Sequence, residues 1–192
     1  MSQIFRTHQH RPENSHDNFT DSVIKIINSQ GRPVTCDANN NLVAGSNIVP
    51  AGSDNSFFGC GAGSAGPGSS CVAVGSTVMP VNQGGENIGI GHFSLEANTD
   101  GFGNVGVGTR ALTANTTGFF NVAVGNSALR ANTTGFVNQA FGQQALQSNT
   151  TGNNNVAMGE VAMGANTTGE NNVGVGRLAL GSNVDGDRKS VV

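Results

Sequence analysis

Along most of the chain, large apolar residues alternate with Gly or Ala for a few positions, break at a polar turn, and resume at a fixed interval. The stretch Asn104-Val-Gly-Val-Gly108 shows the unit, and Asn121-Val-Ala-Val-Gly125 is its next copy. The motif closes on glycine at Gly59, Gly75, Gly91, Gly108, Gly125, Gly142, Gly159 and Gly176, in two steps of 16 residues and then five of 17. A turn motif, NTTG or a close variant, starts at Asn98, Asn115, Asn132, Asn149, Asn166 and Asn183, always 17 apart. Ala-Leu or Ala-Met recurs in the same phase at 111–112, 128–129, 145–146, 162–163 and 179–180. Three motifs in one phase define an internal repeat.

Alternation at period two predicts a short strand at each copy of NVAVG. A second short extended segment is expected around Ala111-Leu112. Turns are expected at NTTG, where Asn and Gly accept left-handed backbone angles. Seventeen residues are too few for a helix–turn–helix unit and suit one coil of a β-solenoid with two strands and two turns. The predicted fold is all-β, a parallel β-solenoid of about eight 16–17-residue coils. At the strand spacing of ~4.8 Å it forms a rod on the order of 40 Å long. Stacking aligns Asn104, Asn121, Asn138, Asn155 and Asn172 in one ladder of side-chain amides, and the turn asparagines in a second.

Strand alternation also sets the faces. Val122 and Val124 point one way and Ala123 the other. The expectation is that the valines fill the coil, leaving a flat, uncharged Ala/Gly face outside. Composition adds to this. The chain has 192 residues with 29 Gly, no Trp or Tyr, and 11% charged residues, too little bulk for a thick core. Each coil offers about two Val and one Leu to its interior, so an isolated rod is marginal. An oligomer is expected, with three-fold symmetry as a closed arrangement, either intertwined or side by side.

The units NVAVGNSAL and NVGVGTRAL, joined by NTTG, resemble the head repeats of YadA-type trimeric autotransporter adhesins. They also resemble the related repeats of phage and large DNA virus fibre and surface proteins. The resemblance covers about residues 55–186. It implies a left-handed parallel β-roll assembled as a homotrimer in a surface-exposed or adhesive role. No signal peptide or C-terminal membrane anchor is read in the chain, which points the resemblance toward a virion protein. The expected role is thus a structural virion protein, a trimeric fibre, spike or capsid or tail decoration. The alternative is an adhesin that recognises a host glycan or protein, at the virion or cell surface.

The remaining segments divide as follows. Residues 1–22 are polar and read as a flexible or docking arm. Residues 23–50 read as a short β-hairpin or meander built from VIKII, PVTC and LVA. The resemblance implies that this N-terminal part attaches the rod to other virion proteins. Residues 51–186 are the repeat domain, and 187–192 a charged tail that caps it.

Candidate chemistry is sparse. The net charge is −3, with only Lys25 and Lys189 as lysines and no basic run, which argues against a nucleic-acid partner. No stretch is long and apolar enough for membrane insertion. GxGxxG occurs at Gly61/Gly63/Gly66 and Gly101/Gly103/Gly106, but without the strand-then-helix context of a dinucleotide site. No acid/base pair or activated nucleophile is visible, so no enzyme activity and no cofactor is expected. His8 and His10 form an H-x-H pair that three chains could aim at one axial metal, but a histidine-bearing arm needs no metal, and none is assigned. Cys36, Cys60 and Cys71 read as free buried thiols, with a Cys60–Cys71 disulfide as the alternative. Phe102, Phe119 and Phe136 stand 17 apart directly after the turn glycine, then give way to Asn153 and Glu170. They read as a ladder that either stacks to stiffen the rod or contacts a receptor.

Overall fold

The computed structural model describes residues 26–27, 33–34, 42–44, 55–59, 62–63 and 68–192. Strands β1 (Ile26–Ile27) and β2 (Pro33–Val34) form an antiparallel pair. Ten further strands make one parallel sheet in unbroken chain order. They are β3 (Leu42–Ala44), β4 (Ser56–Phe58), β5 (Val72–Val74), β6 (Ile88–Ile90), β7 (Val105–Val107), β8 (Val122–Val124), β9 (Gln139–Phe141), β10 (Val156–Met158), β11 (Val173–Val175) and β12 (Ser190–Val191). Register advances by one repeat per strand, Val105 on Val122 and Val122 on Gln139. Consecutive parallel strands with no helix between them, among the described residues, are the signature of a β-solenoid.

Two expectations about segment limits change. LVA, read as part of the N-terminal meander, is β3 and pairs in parallel with β4. At the other end, part of the expected tail lies inside the sheet, because β12 pairs with β11. In each case the sheet extends wherever two or three residues can reach the ladder of backbone groups on the neighbouring coil. The arm 1–22, with His8 and His10, lies outside the described residues, as do Cys36 and Cys60.

Each coil has one strand and not two. The Ala-Leu segment is a turn, with Arg110 at φ +59° and Leu112 at φ +53°. Alternate left-handed residues reverse the backbone within four positions while keeping Ala111 and Leu112 fully buried. The turn is held coil to coil, since the Leu112 N–H donates to the Ala128 carbonyl at 3.1 Å. After each strand the chain needs a further sharp bend, made by the Gly108, Gly125, Gly142, Gly159 and Gly176 column at φ between +120° and +140°. A Cβ on Gly125 would stand 2.4 Å from the Gly142 carbonyl oxygen, so only glycine lets the coils approach to sheet spacing.

The faces are the reverse of the expectation. Ala123 is fully buried, whereas Val122 and Val124 are half-exposed, and every coil from β5 to β11 repeats the pattern. The cause is the thinness of the coil. The wall opposite the strand already carries the Ala-Leu turn, which leaves room for only a methyl or a hydrogen at the strand centre. A Cβ on Gly106 would lie 2.6 Å from Ser94 Oγ, and one on Gly89 would lie 2.5 Å from Val78. Size is exchanged across the gap: Val78 faces Gly89, while in the coils above Ala111 and Ala123 are both fully buried. The core is therefore mainly Ala, Leu or Met, and asparagine, with Phe57, Cys71 and Val78 in the first coils. Replacing Ala123 with Leu should overfill this layer and lower stability by about 1–3 kcal/mol. Arg130→Gln, at an exposed position off the strand face, should leave the melting temperature nearly unchanged, and thermal unfolding followed by circular dichroism separates the two.

Asparagine ladders, an aromatic column and an apolar strand face

The asparagine before each strand points into the coil. Asn121 is fully buried. Its N–H and its Nδ2 both donate to Asn104 Oδ1, at 3.0 and 3.2 Å, and Nδ2 also donates to the Gly135 carbonyl at 2.8 Å. Asn138, Asn155 and Asn172 repeat the arrangement, each on the asparagine one coil earlier. Asn104 receives its place from Asn87, whose Oδ1 accepts the Asn104 N–H at 2.9 Å. The turn asparagines form the second ladder. Asn132 Nδ2 donates to Asn115 Oδ1 at 2.8 Å and to the Gly135 carbonyl at 2.9 Å. Gly135 thus accepts from both ladders, and the same joint recurs at Gly118, Gly152 and Gly169. Among the described residues no buried side-chain nitrogen or oxygen lacks a partner.

The second ladder begins earlier than NTTG suggests. Asn82 accepts from Asn98 and from Asn87, so it joins the two ladders at their first rungs. Its local sequence, VNQGG, hides it from a motif search, and only the 16-residue step back from Asn98 points to it. Cys71 stands one step before Asn87 in the first ladder's column. Its N–H donates to Asn55 Oδ1 at 2.8 Å as an asparagine's would, but its Sγ is a weak acceptor, taking Asn82 Nδ2 at 3.4 Å. The thiol is free and buried, and burial raises its pKa, which keeps it protonated and unreactive.

Phe102, Phe119 and Phe136 come together as one outer column. Ring centroids are 5.2 and 4.9 Å apart, with planes 2° from parallel. Phe120, which the 17-residue pattern does not single out, packs edge-on against Phe102 and Phe119 at 5.0 and 5.7 Å. It lies over Gly103, where a Cβ would meet its ring at 2.5 Å. Above Phe136 the column becomes polar. The Phe136 N–H donates to Asn153 Oδ1, Asn153 Nδ2 donates to Glu170 Oε1, and the Glu170 N–H donates to Asp187 Oδ1. Stacking occupies the ring faces within the column, so solvent meets mainly the edges of Phe102 and the exposed Phe120.

Beside this column runs the outward strand face. One line of side chains is Val72, Ile88, Val105, Val122, Gln139, Val156 and Val173, and the other is Phe58, Val74, Ile90, Val107, Val124, Phe141, Met158 and Val175. With Ser56, which pairs with Val72, the two lines from β4 to β11 hold sixteen side chains, of which only Ser56 and Gln139 are polar and none is charged. Ile88, Ile90 and Met158 are 36%, 38% and 40% exposed. At sheet spacing, the stripe is roughly 34 Å long and on the order of 400 Å².

No group of three or more His, Cys, Asp or Glu that could hold a metal exists among the described residues. No helix among them is long and apolar enough to cross a membrane. Gly101, Gly103 and Gly106 lie in the turn and strand of one coil, not before a helix. Comparison with known protein families, with curated proteins and with solved structures gave no match.

The ladders generate two expected outcomes. Asn121→Ala deprives Asn138 of its acceptor inside the core and should cost about 1–3 kcal/mol in denaturant unfolding. Cys71→Asn gives the first ladder an amide at its one sulfur position and should raise stability by about 1 kcal/mol. A fall in melting temperature for the cysteine variant would contradict the reading of that position.

Proposed function

We propose that the chain is a structural virion protein, a rod-shaped subunit of a fibre, spike or capsid or tail decoration, assembled as a homotrimer through its strand faces. The observation that carries this is the apolar stripe of two outward columns. Soluble monomers seldom expose so continuous an uncharged surface along their whole length. A second copy of the same chain is the natural cover, because its own stripe has the same pitch and the same lack of charge. Parallel copies in register would bury rung against rung, and cyclic symmetry closes such an interface without open ends. The virion setting rests on the resemblance of the repeats to those of phage and large DNA virus fibres. Attachment to other virion proteins through the N-terminal segment follows from that same resemblance. The role is geometric and non-catalytic: the solenoid extends and spaces whatever is joined to it.

A second reading, an adhesin at a virion or cell surface, is favoured by the exposed edges of Phe102 and Phe120 beside the polar Asn153–Glu170–Asp187 run. Aromatic clusters of this kind concentrate binding energy for protein partners. Stacked rings leave few free faces for sugars, which favours a protein receptor over a glycan.

Light scattering on a sizing column tests the first reading. The full chain should have the mass of three copies, and Val107→Lys with Val124→Lys should give single chains that keep their β-sheet circular dichroism. A wild-type mass of one chain would overturn the trimer. Phe102→Ser with Phe120→Ser should leave the mass unchanged, and loss of host-cell binding by that variant would favour the adhesin.

A further inference from the structure

Every interior coil leaves two acceptors for the coil above: the side-chain oxygen of its pre-strand asparagine and that of its turn asparagine. The last pair is Asn172 Oδ1 and Asn183 Oδ1, and one residue answers both. The Lys189 N–H donates to Asn172 Oδ1 at 2.9 Å, and its Nζ donates to Asn183 Oδ1 at 2.6 Å. Lys189 stands in the column occupied by Asn87, Asn104, Asn121, Asn138, Asn155 and Asn172. Its amino group fits because Gly186 lies beneath it, where a Cβ would be 2.1 Å from Nζ.

The surrounding positions change in the same coil. Thr168, Glu170, Asn171 and Asn172 of the coil below become Asp185, Asp187, Arg188 and Lys189, so one charge in four positions becomes four. They border β12, the outermost strand of the described sheet, which bears the exposed Val191 and is followed by the exposed Val192. An open strand edge beside apolar side chains is a template for another chain. A coil laid on this end would have to bury an ammonium with its flanking charges, which is costly without matched partners.

We infer that Lys189 closes both asparagine ladders and, with Asp185, Asp187 and Arg188, keeps this end of the rod from joining end-on to a second copy of the chain. The inference is independent of whether the rod is one chain or three, because its test reads multiples of the parent mass. In the full chain, Asp185→Thr, Asp187→Asn, Arg188→Asn and Lys189→Asn restore residue types that interior coils already carry. Sedimentation velocity should then show at least a doubling of the parent mass, rising with concentration, with rods lengthened in electron micrographs. Parental mass at every concentration, with parental circular dichroism, would overturn the inference. Should the fourfold variant lose its β signal, Lys189→Asn alone decides, with mass growth supporting the inference and parental mass ending it. Separately, Lys189→Ala should speed amide hydrogen exchange across residues 183–189 several-fold, and exchange at the parental rate would remove the ladder-closing role.

Discussion

A side-chain amide buried in a protein interior must find partners for two donors and an acceptor, and an unmet one costs about 1–3 kcal/mol. This chain buries two such amides per coil through the regular repeats and satisfies each only with the help of groups on adjacent coils. No coil can meet that requirement alone. The asparagines therefore make stacking obligatory, and they fix its register, since a slip of one residue would set Asn121 against Val105 or Gly103 in place of Asn104. The backbone adds its own constraint through the glycine column, where a Cβ at Gly108, Gly125, Gly142 or Gly159 would strike the next coil's carbonyl. Donor geometry and close approach together specify one way for the coils to lie.

Filling the interior with amides and turn leucines leaves it thin. From β5 to β11 alanine or glycine is all that fits at the strand centre, so the larger apolar side chains of those strands face outward. The consequence is a molecule whose most hydrophobic surface is external and regular. In a globular enzyme the valines would form the core; here they form a half-exposed outer face at constant pitch. Among the described residues the interior is taken up by small apolar side chains and amides, and no three His, Cys, Asp or Glu gather there.

Through the regular coils the larger changes of chemistry fall in the columns that face solvent. The Phe102–Phe119–Phe136 column stacks and then becomes a hydrogen-bonded polar run, with no change in the ladders behind it. At the last coil the ladder itself changes, and Lys189 supplies by charge and length what the next asparagine would have supplied. Interior columns thus carry the architecture, and exterior columns can be rewritten to alter what the rod meets along its side and at its end.

The 16- and 17-residue steps were sufficient for the fold class, the parallel stacking, the coil count and the two amide ladders, because a strict period admits only one residue of each phase per coil. The joining of Phe102, Phe119 and Phe136 in one column was legible for the same reason. Period alone could not say which strand face turns inward, since alternation of Val and Ala is the same pattern read from either side. That choice was made by volume: the Ala-Leu turn, itself not distinguishable in sequence from a second short strand, occupies the space the valines would need. Phe120 and Asn82 stayed hidden for a related reason, as one breaks the 17-residue spacing of the other rings and the other lacks the turn motif. The double role of Lys189 was invisible because it depends on Asn172 and Asn183 being brought to the same end of the rod. Periodicity determined that the coils stack; only packing in three dimensions decided what lies inside them and what is left for a partner.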